Sequence, residues 1–183
     1  MSPESDVVDG IRPSVEADTE AIAAIYAHHV LNGTGSFETE PPSVEEMRNR
    51  RATLVARNLP HLVATRNGEV VGYCYAGPYR SRAAYRSTIE SSVYVRADVV
   101  GRGIGKQLLQ ALISECEARG FRQMVAVVGD SENSMSIRLH ERLGFRLVGV
   151  LRSVGYKHGR WLDTVLLQLE LDPGDRAPPL ETG

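Results

Sequence analysis

The chain has 183 residues, of which 42% are hydrophobic and 24% charged. These values are typical of a soluble globular protein and argue against wholesale disorder. Its 21 basic and 23 acidic residues give a net charge of −2, so we expect no nucleic-acid partner. No run of about 18 apolar residues predicts a membrane span, and the polar, acidic N-terminus does not resemble a signal peptide. We therefore expect a cytoplasmic protein without a membrane partner.

Both ends of the chain differ in composition from the region between them. Residues 1–9 lack hydrophobic periodicity, and residues 173–183 are rich in proline, glycine and charge. Such segments are typical of flexible extensions, so both ends are predicted to be flexible. A single domain is accordingly predicted over residues 10–172, which is an ordinary length for one domain.

The domain is predicted to begin with a short strand and two helices. Residues 11–14 form the strand, and Asp18 stands where the cap of the first helix is expected. The loop after this helix contains two glycines and two prolines, and Phe37 is its one large apolar side chain. Ser43 and Glu46 have capping-box spacing and open the second helix. The apolar stripe of the first helix has i, i+3, i+4 spacing and contains Ile22, Ile25, Tyr26, His29 and Val30.

The middle of the chain is rich in strand signals. Asn67-Gly68 suits a type I′ turn and predicts a hairpin between residues 61–66 and 69–76, where Gly77-Pro78 ends the second strand. Residues 88–96 contain many β-branched side chains and predict a further strand. Residues 123–128 form a nearly continuous apolar run, which predicts a strand covered on both faces.

The C-terminal part adds a short helix and two strands. The helix is predicted over residues 132–143, with Ser131 as its cap and Gly144 after its end. Residues 145–151 and 162–171 follow as strands. The resulting order of strands and helices predicts an α/β fold with a mixed sheet, because it lacks the regular alternation of a doubly wound fold.

A glycine-rich segment joins a strand to a helix through Gly101, Gly103 and Gly105. Free backbone N–H groups and the positive end of the helix dipole meet there, which suits a phosphate group. A Walker A loop is excluded because Val100 stands where its first glycine belongs, and a dinucleotide fingerprint is excluded because its third glycine would be Lys106. The alternative is a helix N-terminus that only turns tightly.

This segment resembles motif A of the GNAT superfamily of N-acetyltransferases, Gln/Arg-x-x-Gly-x-Gly/Ala, which binds the pyrophosphate of coenzyme A. Gly103 and Gly105 match the motif, while Val100 replaces its Gln or Arg. Residues 133–145 are similar to the second family signature, with His140 where tyrosine is usual. The resemblance implies the GNAT fold, a mixed and mostly antiparallel sheet of six to seven strands flanked by about four helices.

Further stretches are similar to the phosphinothricin N-acetyltransferase branch of that superfamily, which His140 also fits. They are residues 37–41, 76–85, 89–95 and 155–161. The resemblance covers about residues 11–171. It implies a homodimeric, metal-free enzyme that transfers acetyl from acetyl-CoA to the α-amino group of a small amino-acid analogue. Phosphinothricin, methionine sulfoximine and methionine sulfone are the implied acceptors, with antibiotic or herbicide resistance as the implied consequence.

Acetyl transfer to an amine needs a base for the ammonium, a polarised thioester carbonyl and a proton for the thiolate. Glu90 is the predicted base, acting directly or through a water. His140 is the predicted acid or second proton carrier, because imidazole titrates near neutrality. The alternatives are a salt-bridged strand carboxylate and a structural helix histidine. By resemblance, a splayed strand would offer a backbone N–H near Tyr94 or Val95 to the thioester oxygen.

The predicted binding residues fall into two groups. Guanidinium groups suit carboxylate and phosphinate oxygens, so Arg80 and Arg82 are expected to bind the acceptor, unless they only form a solvated loop. Cys74 and Cys116 lack an activating base, which predicts direct transfer in a ternary complex. The predicted coenzyme A contacts are Val93, Tyr94, Val95, Gly101, Arg102, Gly103, Ile104, Gly105, Lys106 and Asn133, and the predicted acceptor contacts are Phe37, Tyr75, Arg80, Arg82, Tyr85 and Glu90.

Two other functions stay open at this point. One is acetyl transfer to a peptide or polyamine amine, although the basic loop with Arg80 and Arg82 is unfavourable for a polyamine. The other is a non-catalytic acyl-CoA-binding module on the same fold. The replacement at Val100 favours that module, while Glu90 and His140 favour an enzyme.

Overall fold

The computed structural model describes residues 8–179. Within them, seven strands form one sheet in the order β1-β2-β3-β4-β5-β7-β6, in which only β4 and β5 are parallel neighbours. Four α-helices flank this sheet, so the predicted GNAT architecture is confirmed. The strands are β1 (Gly10–Pro13), β2 (His61–Arg66), β3 (Glu69–Pro78), β4 (Thr88–Val95), β5 (Gln123–Gly129), β6 (Arg146–Lys157) and β7 (Arg160–Glu170), and the helices are α1 (Thr19–Asn32), α2 (Val44–Ala56), α3 (Ile104–Ala118) and α4 (Ser134–Glu141).

The predicted hairpin joins β2 and β3. Asn67 and Gly68 have φ angles of 51° and 76°, which are the positive values that a type I′ turn requires. The predicted break after Ala76 is wrong, because β3 continues to Pro78, the partner of Ile89 on β4. A proline is tolerated there because it is the last residue of the strand, where its missing N–H removes no hydrogen bond from the ladder.

The first two helices begin in different ways. Ser43 caps α2 as predicted, and its hydroxyl accepts a hydrogen bond from the Glu46 N–H at 3.1 Å. Asp18 occupies the cap position of α1, but its carboxylate bonds no helix N–H. It instead accepts two hydrogen bonds from Arg12, at 2.7 and 2.9 Å, and one from the Val15 N–H at 2.8 Å. The guanidinium of Arg12 offers a stronger, charged donor, and its hydrogen bonds lower the pKa of Asp18.

The two faces of the sheet pack against different helices. Since successive residues of a strand point to opposite faces, Val63 and Tyr73 face α1 and α2, while Leu62 and Cys74 face α3. Leu139 of α4 packs with the α3 cluster, so α4 lies on that same face. A ligand that passes through the sheet would therefore meet α1 on one side and α3 and α4 on the other.

The C-terminal strands differ from the prediction in two ways. β5 forms as expected, but Val127 is 39% exposed, because β4 leaves β5 beyond Ala126 and uncovers it. β6 continues past the predicted end at Leu151 to Lys157, with an irregular register between Leu151 and Gly155. The predicted helix over residues 132–143 is also shorter, since α4 spans Ser134–Glu141.

The chain ends lie partly outside the described range. Of the segments predicted to be flexible, residues 1–7 and 180–183 fall outside the described residues, and the limits of the domain stay a prediction. Residues 173–175 form a turn, and Arg122 donates a hydrogen bond to the Pro178 carbonyl at 2.8 Å. None of the helices in residues 8–179 has the length and apolar character needed to cross a membrane.

Candidate active site

A cleft of about 840 Å³ opens where β4 and β5 separate. The two strands are paired from Thr88–Ser91 to Gln123–Ala126, and beyond these residues no ladder joins them. Residues 91–95 and 126–130 line the two sides of the cleft. His29 of α1 and His140 of α4 also line it, although these helices lie on opposite faces of the sheet. The cleft therefore passes through the sheet.

The glycine loop forms one end of this cleft. Gly101 and Gly103 have φ angles of 88° and 79°, and a Cβ on either one would meet no atom within 4 Å, so the backbone is open to a ligand. Gly103 is the N-cap of α3, so the N–H groups of the first turn have no partner within the helix. The loop offers unpaired donors and the positive end of a helix dipole, as the sequence predicts. Val100 also lines this end, where the family motif has Gln or Arg.

The predicted coenzyme A residues come together at the cleft with one exception. Arg102 is exposed and does not line it. Several other lining residues were not predicted from the sequence, among them His29, Arg138 and Arg142. They lie on α1, on α4 and at the end of α4, where the sequence pattern gave no sign of a ligand. The predicted residues that line the cleft are Val93, Tyr94, Val95, Gly101, Gly103, Ile104, Gly105, Lys106 and Asn133.

The start of α4 corrects one predicted cap. Asn133 caps the helix, and its side-chain oxygen accepts a hydrogen bond from the Ser136 N–H at 3.3 Å. Ser131, the predicted cap, donates instead to the Asp163 carboxylate at 2.7 Å, because its side chain faces β7 rather than the helix. The amide oxygen of Asn133 is thus occupied by α4, which leaves its NH₂ group as the donor for a ligand.

His140 is buried at the cleft wall, with 6% of its surface exposed. Its Nδ1 lies 2.8 Å from the Ser136 carbonyl oxygen, and a carbonyl only accepts, so Nδ1 carries the proton. The ring meets Phe145 edge-on at 4.9 Å between centroids. Burial lowers the pKa of His140, so the neutral form is favoured and Nε2 is an acceptor. This geometry favours a proton acceptor or a structural residue over the predicted acid.

Glu90 lies on β4 one residue before its last pairing with β5, and it shares a face with Tyr94, which packs with the α1 and α2 cluster. Its Cα partners are Gly77 on β3 and Val125 on β5. Burial raises the pKa of Glu90, and the described residues give it neither a hydrogen bond nor an ion pair. The alternative of a salt-bridged strand carboxylate therefore lacks a partner, whereas an unpaired and desolvated carboxylate suits a general base. Glu90 and His140 lie on opposite faces of the sheet.

The backbone of β4 presents donors to the cleft. The Arg96 N–H donates to the Val71 carbonyl on β3 at 2.9 Å. Because N–H groups alternate in direction along a strand, the N–H of Tyr94 also points to β3, whereas those of Val93 and Val95 point to the open side. Of the two predicted oxyanion donors, Val95 is thus the one that faces the cleft.

The predicted acceptor-binding residues lie in three places. Arg80, Arg82 and Tyr85 share an exposed depression of about 350 Å³ in the loop between β3 and β4. The guanidinium of Arg80 lies 5.9 Å from the centroid of the Tyr85 ring, a cation–π distance. Tyr75 is mostly buried beside Glu90; burial above all raises the pKa of Tyr75, and the Glu90 carboxylate adds to the rise. The loop begins two residues after Gly77, the Cα partner of Glu90, so its start lies near the base.

Phe37 is the third part and belongs to residues 33–37. Residues 33–35 line the cleft, whereas Phe37 does not. Lys157 fixes this segment, because its ammonium donates to the carbonyl oxygens of Gly33 at 2.9 Å and Ser36 at 2.7 Å. The Phe37 ring lies against Gly129 and Gly155, where a Cβ would overlap it. The glycines of β5 and β6 thus make room for the one large apolar side chain of the loop.

The described residues contain no cluster of three or more His, Cys, Asp or Glu side chains that could hold a metal ion. Cys74 and Cys116 are free and buried.

The family of the chain is identified by its similarity to known proteins. A model of the acetyltransferase (GNAT) family matches residues 22–145, which run from α1 to the end of α4 and include the whole cleft.

The chain belongs to the GNAT acetyltransferase family. It is 52% identical to the phosphinothricin N-acetyltransferase of Alcaligenes faecalis, over 92% of this chain and 86% of that protein. It is 45% identical to the L-methionine sulfoximine/L-methionine sulfone acetyltransferase of Pseudomonas paraeruginosa, over 92% and 98% of the two chains. The crystal structure of the Sinorhizobium meliloti phosphinothricin acetyltransferase, in complex with AcCoA, superposes with a TM-score of 0.93 at 43% identity and covers 96% and 95% of the chains. The predicted resemblance is confirmed.

Proposed function

We propose that this GNAT enzyme transfers acetyl from acetyl-CoA to the α-amino group of a small amino-acid analogue such as phosphinothricin or methionine sulfoximine or sulfone. One observation carries the proposal: the cleft at the separated strands has the open glycine loop at one end, and an unpaired, desolvated Glu90 directly precedes its lining residue Ser91. The named activities of relatives at 52% and 45% identity support the choice of acceptor.

The cleft suits coenzyme A in shape and charge. The open backbone at Gly101 and Gly103 would receive the pyrophosphate, with Lys106 and Arg138 as cations on the cleft wall. Acetyl-CoA supplies an acyl group that is already activated as a thioester. The extended pantetheine arm can then follow the unpaired edge of β4, where the N–H groups of Val93 and Val95 are available.

The reaction follows from these positions. The carboxylate of Glu90 takes a proton from the substrate ammonium, directly or through a water, and the free amine attacks the thioester carbonyl. The Val93 N–H, which faces the open side three residues from Glu90, donates to the carbonyl oxygen as it becomes negative. The C–S bond then breaks, and the thiolate of coenzyme A takes the proton that the new amide loses, so that charge and atoms balance.

Direct transfer between the two substrates is favoured over an acyl-enzyme. Cys74 and Cys116 are both fully buried, and neither lines the cleft. Burial raises the pKa of Cys116 to about 12 and that of Cys74 further, so neither thiol is a nucleophile near neutral pH. Two free thiols also suit a reducing compartment, which supports a cytoplasmic location for the enzyme.

A substrate panel tests the proposed acceptor. We expect thiol release from acetyl-CoA with phosphinothricin, methionine sulfoximine and methionine sulfone, and far less with methionine, spermidine or a short peptide. Because a guanidinium that binds the acceptor's oxygens contributes a charge-assisted hydrogen bond, Arg82→Ala should raise the KM for phosphinothricin about tenfold. Arg66→Ala, at the end of β2, is the control. The same activity would protect a host on phosphinothricin plates.

The other outcomes of the panel are equally definite. Turnover of spermidine or peptide alone would reject the proposed acceptor. No turnover at all, with coenzyme A still bound, would support the non-catalytic module, for which the replacement at Val100 is the observation in favour. An unchanged KM in the Arg82 variant would remove the basic loop from the acceptor site.

We propose further that two copies of the chain associate through β6. This strand is an edge of the sheet, and its apolar side chains Leu147, Val148, Leu151, Val154 and Tyr156 are about half exposed or more. Long apolar edge strands are usually covered by a partner. Light scattering should give twice the chain mass of 20.1 kDa for the wild type. The double variant Leu151→Arg/Val154→Arg should give the mass of a single chain. Val55→Arg, equally exposed on α2, should stay dimeric. A monomeric wild type contradicts the proposal.

A further inference from the structure

The separation of β4 from β5 leaves backbone groups of β4 without a ladder partner. Val95 is one of the residues affected, since both its N–H and its C=O point to the open side of the strand. A carbonyl at a cleft wall usually needs a donor, and the next strand would ordinarily supply it. The donor at Val95 comes from a helix instead.

His29 of α1 supplies this donor. Its Nε2 lies 2.8 Å from the carbonyl oxygen of Val95. A carbonyl only accepts, so Nε2 carries the proton and donates. The ring is held by Tyr94, whose centroid is 5.4 Å away, and by the buried stripe of α1 on which it lies. His29 also lines the cleft. His29 thus contacts the residue whose own N–H faces the cleft.

We infer that His29 is a positioning residue, which takes the place of the missing β5 donor and holds Val95 with its N–H directed at the pantetheine arm of acetyl-CoA. The inference rests on the proposed function for the role of that N–H. In an extended residue the N–H and C=O point to the same side, so fixing the carbonyl also fixes the direction of the donor. The neutral ring is sufficient for this, and burial lowers the pKa of His29.

The adjacent His28 offers a matched contrast. It is exposed, contacts Asn32 and the edge of the His29 ring within α1, and does not line the cleft. Replacing His28 changes the composition of the helix as much as replacing His29 does. An effect that appears only at position 29, and that His29→Gln reverses, is therefore due to the N–H donated to Val95 and not to the loss of a histidine from α1.

Calorimetric titration and single-turnover kinetics test the inference together. Misplacing one backbone donor should raise the dissociation constant of acetyl-CoA in His29→Leu about threefold to tenfold, with little change in the rate of acetyl transfer at saturation. Gln can place an N–H at a similar reach, so His29→Gln should restore most of the affinity. His28→Leu should match the wild type. A dissociation constant in His29→Leu equal to that of the wild type would overturn the inference.

A second readout does not need turnover. In ¹⁵N-labelled protein, binding of acetyl-CoA should shift the amide resonance of Val95 in the wild type and in His29→Gln, and shift it much less in His29→Leu. An equal shift in all three proteins would reject the positioning role. Inactivity of the wild type on the whole substrate panel would reject the proposed function instead, and the Val95 resonance would still decide the role of His29.

Discussion

Replacing Glu90 with glutamine should lower kcat/KM for the amine by about a hundredfold to ten-thousandfold, which is the usual worth of a general base. The shape of the side chain is kept, so only the proton acceptor is lost. Burial raises the pKa of Glu90. As the pH is lowered, the wild-type rate should therefore begin to fall at a higher pH than it would with an ordinary glutamate. The variant should lack this acidic limb when kcat/KM is measured against pH.

Thermal unfolding separates this effect from damage to the fold. A carboxyl whose pKa is higher in the folded than in the unfolded state stabilises the fold at low pH, and this contribution is lost as pH rises through the folded pKa. Glu90→Gln should therefore unfold at an equal or higher temperature than the wild type at pH 8. Glu69→Gln, on the exposed end of β3, is the control for both measurements. If Glu90→Gln kept a third of the wild-type activity across the pH range, Glu90 would not be the general base.

Replacing Gly103 with alanine should weaken acetyl-CoA binding about tenfold to a hundredfold. The new Cβ would enter the space where backbone donors meet the pyrophosphate. Each charge-assisted hydrogen bond lost there is worth about 1.5–3 kcal/mol. The φ of 79° adds a cost to folding, since residues with a Cβ avoid that region. Calorimetric titration with acetyl-CoA measures the affinity directly.

Gly68 provides the matched control for this variant. It has a φ of 76° and open space around its Cβ position, but it lies in the hairpin turn between β2 and β3. Gly68→Ala and Gly103→Ala should therefore lose similar stability, on the order of 1 kcal/mol, through the same backbone strain. Only Gly103→Ala should lose affinity. Equal affinities for acetyl-CoA in both variants would show that the loop does not hold the phosphates.

The sequence predicted most where local chemistry decides the outcome. Asn67-Gly68 specified its turn, and the glycine loop specified the end of the cleft, because positive φ angles and open backbone follow from the glycines themselves. The match to two family signatures placed His140 at the same cleft. These features depend on short segments and not on the packing of distant elements.

The features that were missed depend on distant partners. Asp18 bonds Arg12 on another element instead of its own helix, and Ser131 bonds Asp163 on β7. His29 belonged to an apolar stripe, and nothing in the stripe indicates that the strand carbonyl opposite it lacks a partner. The exposed face of Val127 likewise follows only from the separation of the strands. Periodicity describes one element, and each of these contacts needs two.

The opening between β4 and β5 also determines how an inhibitor could be built. The glycine loop and α4 lie on one face of the sheet, and Glu90 faces the other, so a single molecule that joins coenzyme A to the nitrogen of the acceptor would thread through the sheet. Its two halves would bind as one ligand with a high effective concentration. To leave, such a compound would have to release both ends and withdraw through a gap framed by two strands, so its residence time should exceed that of either half.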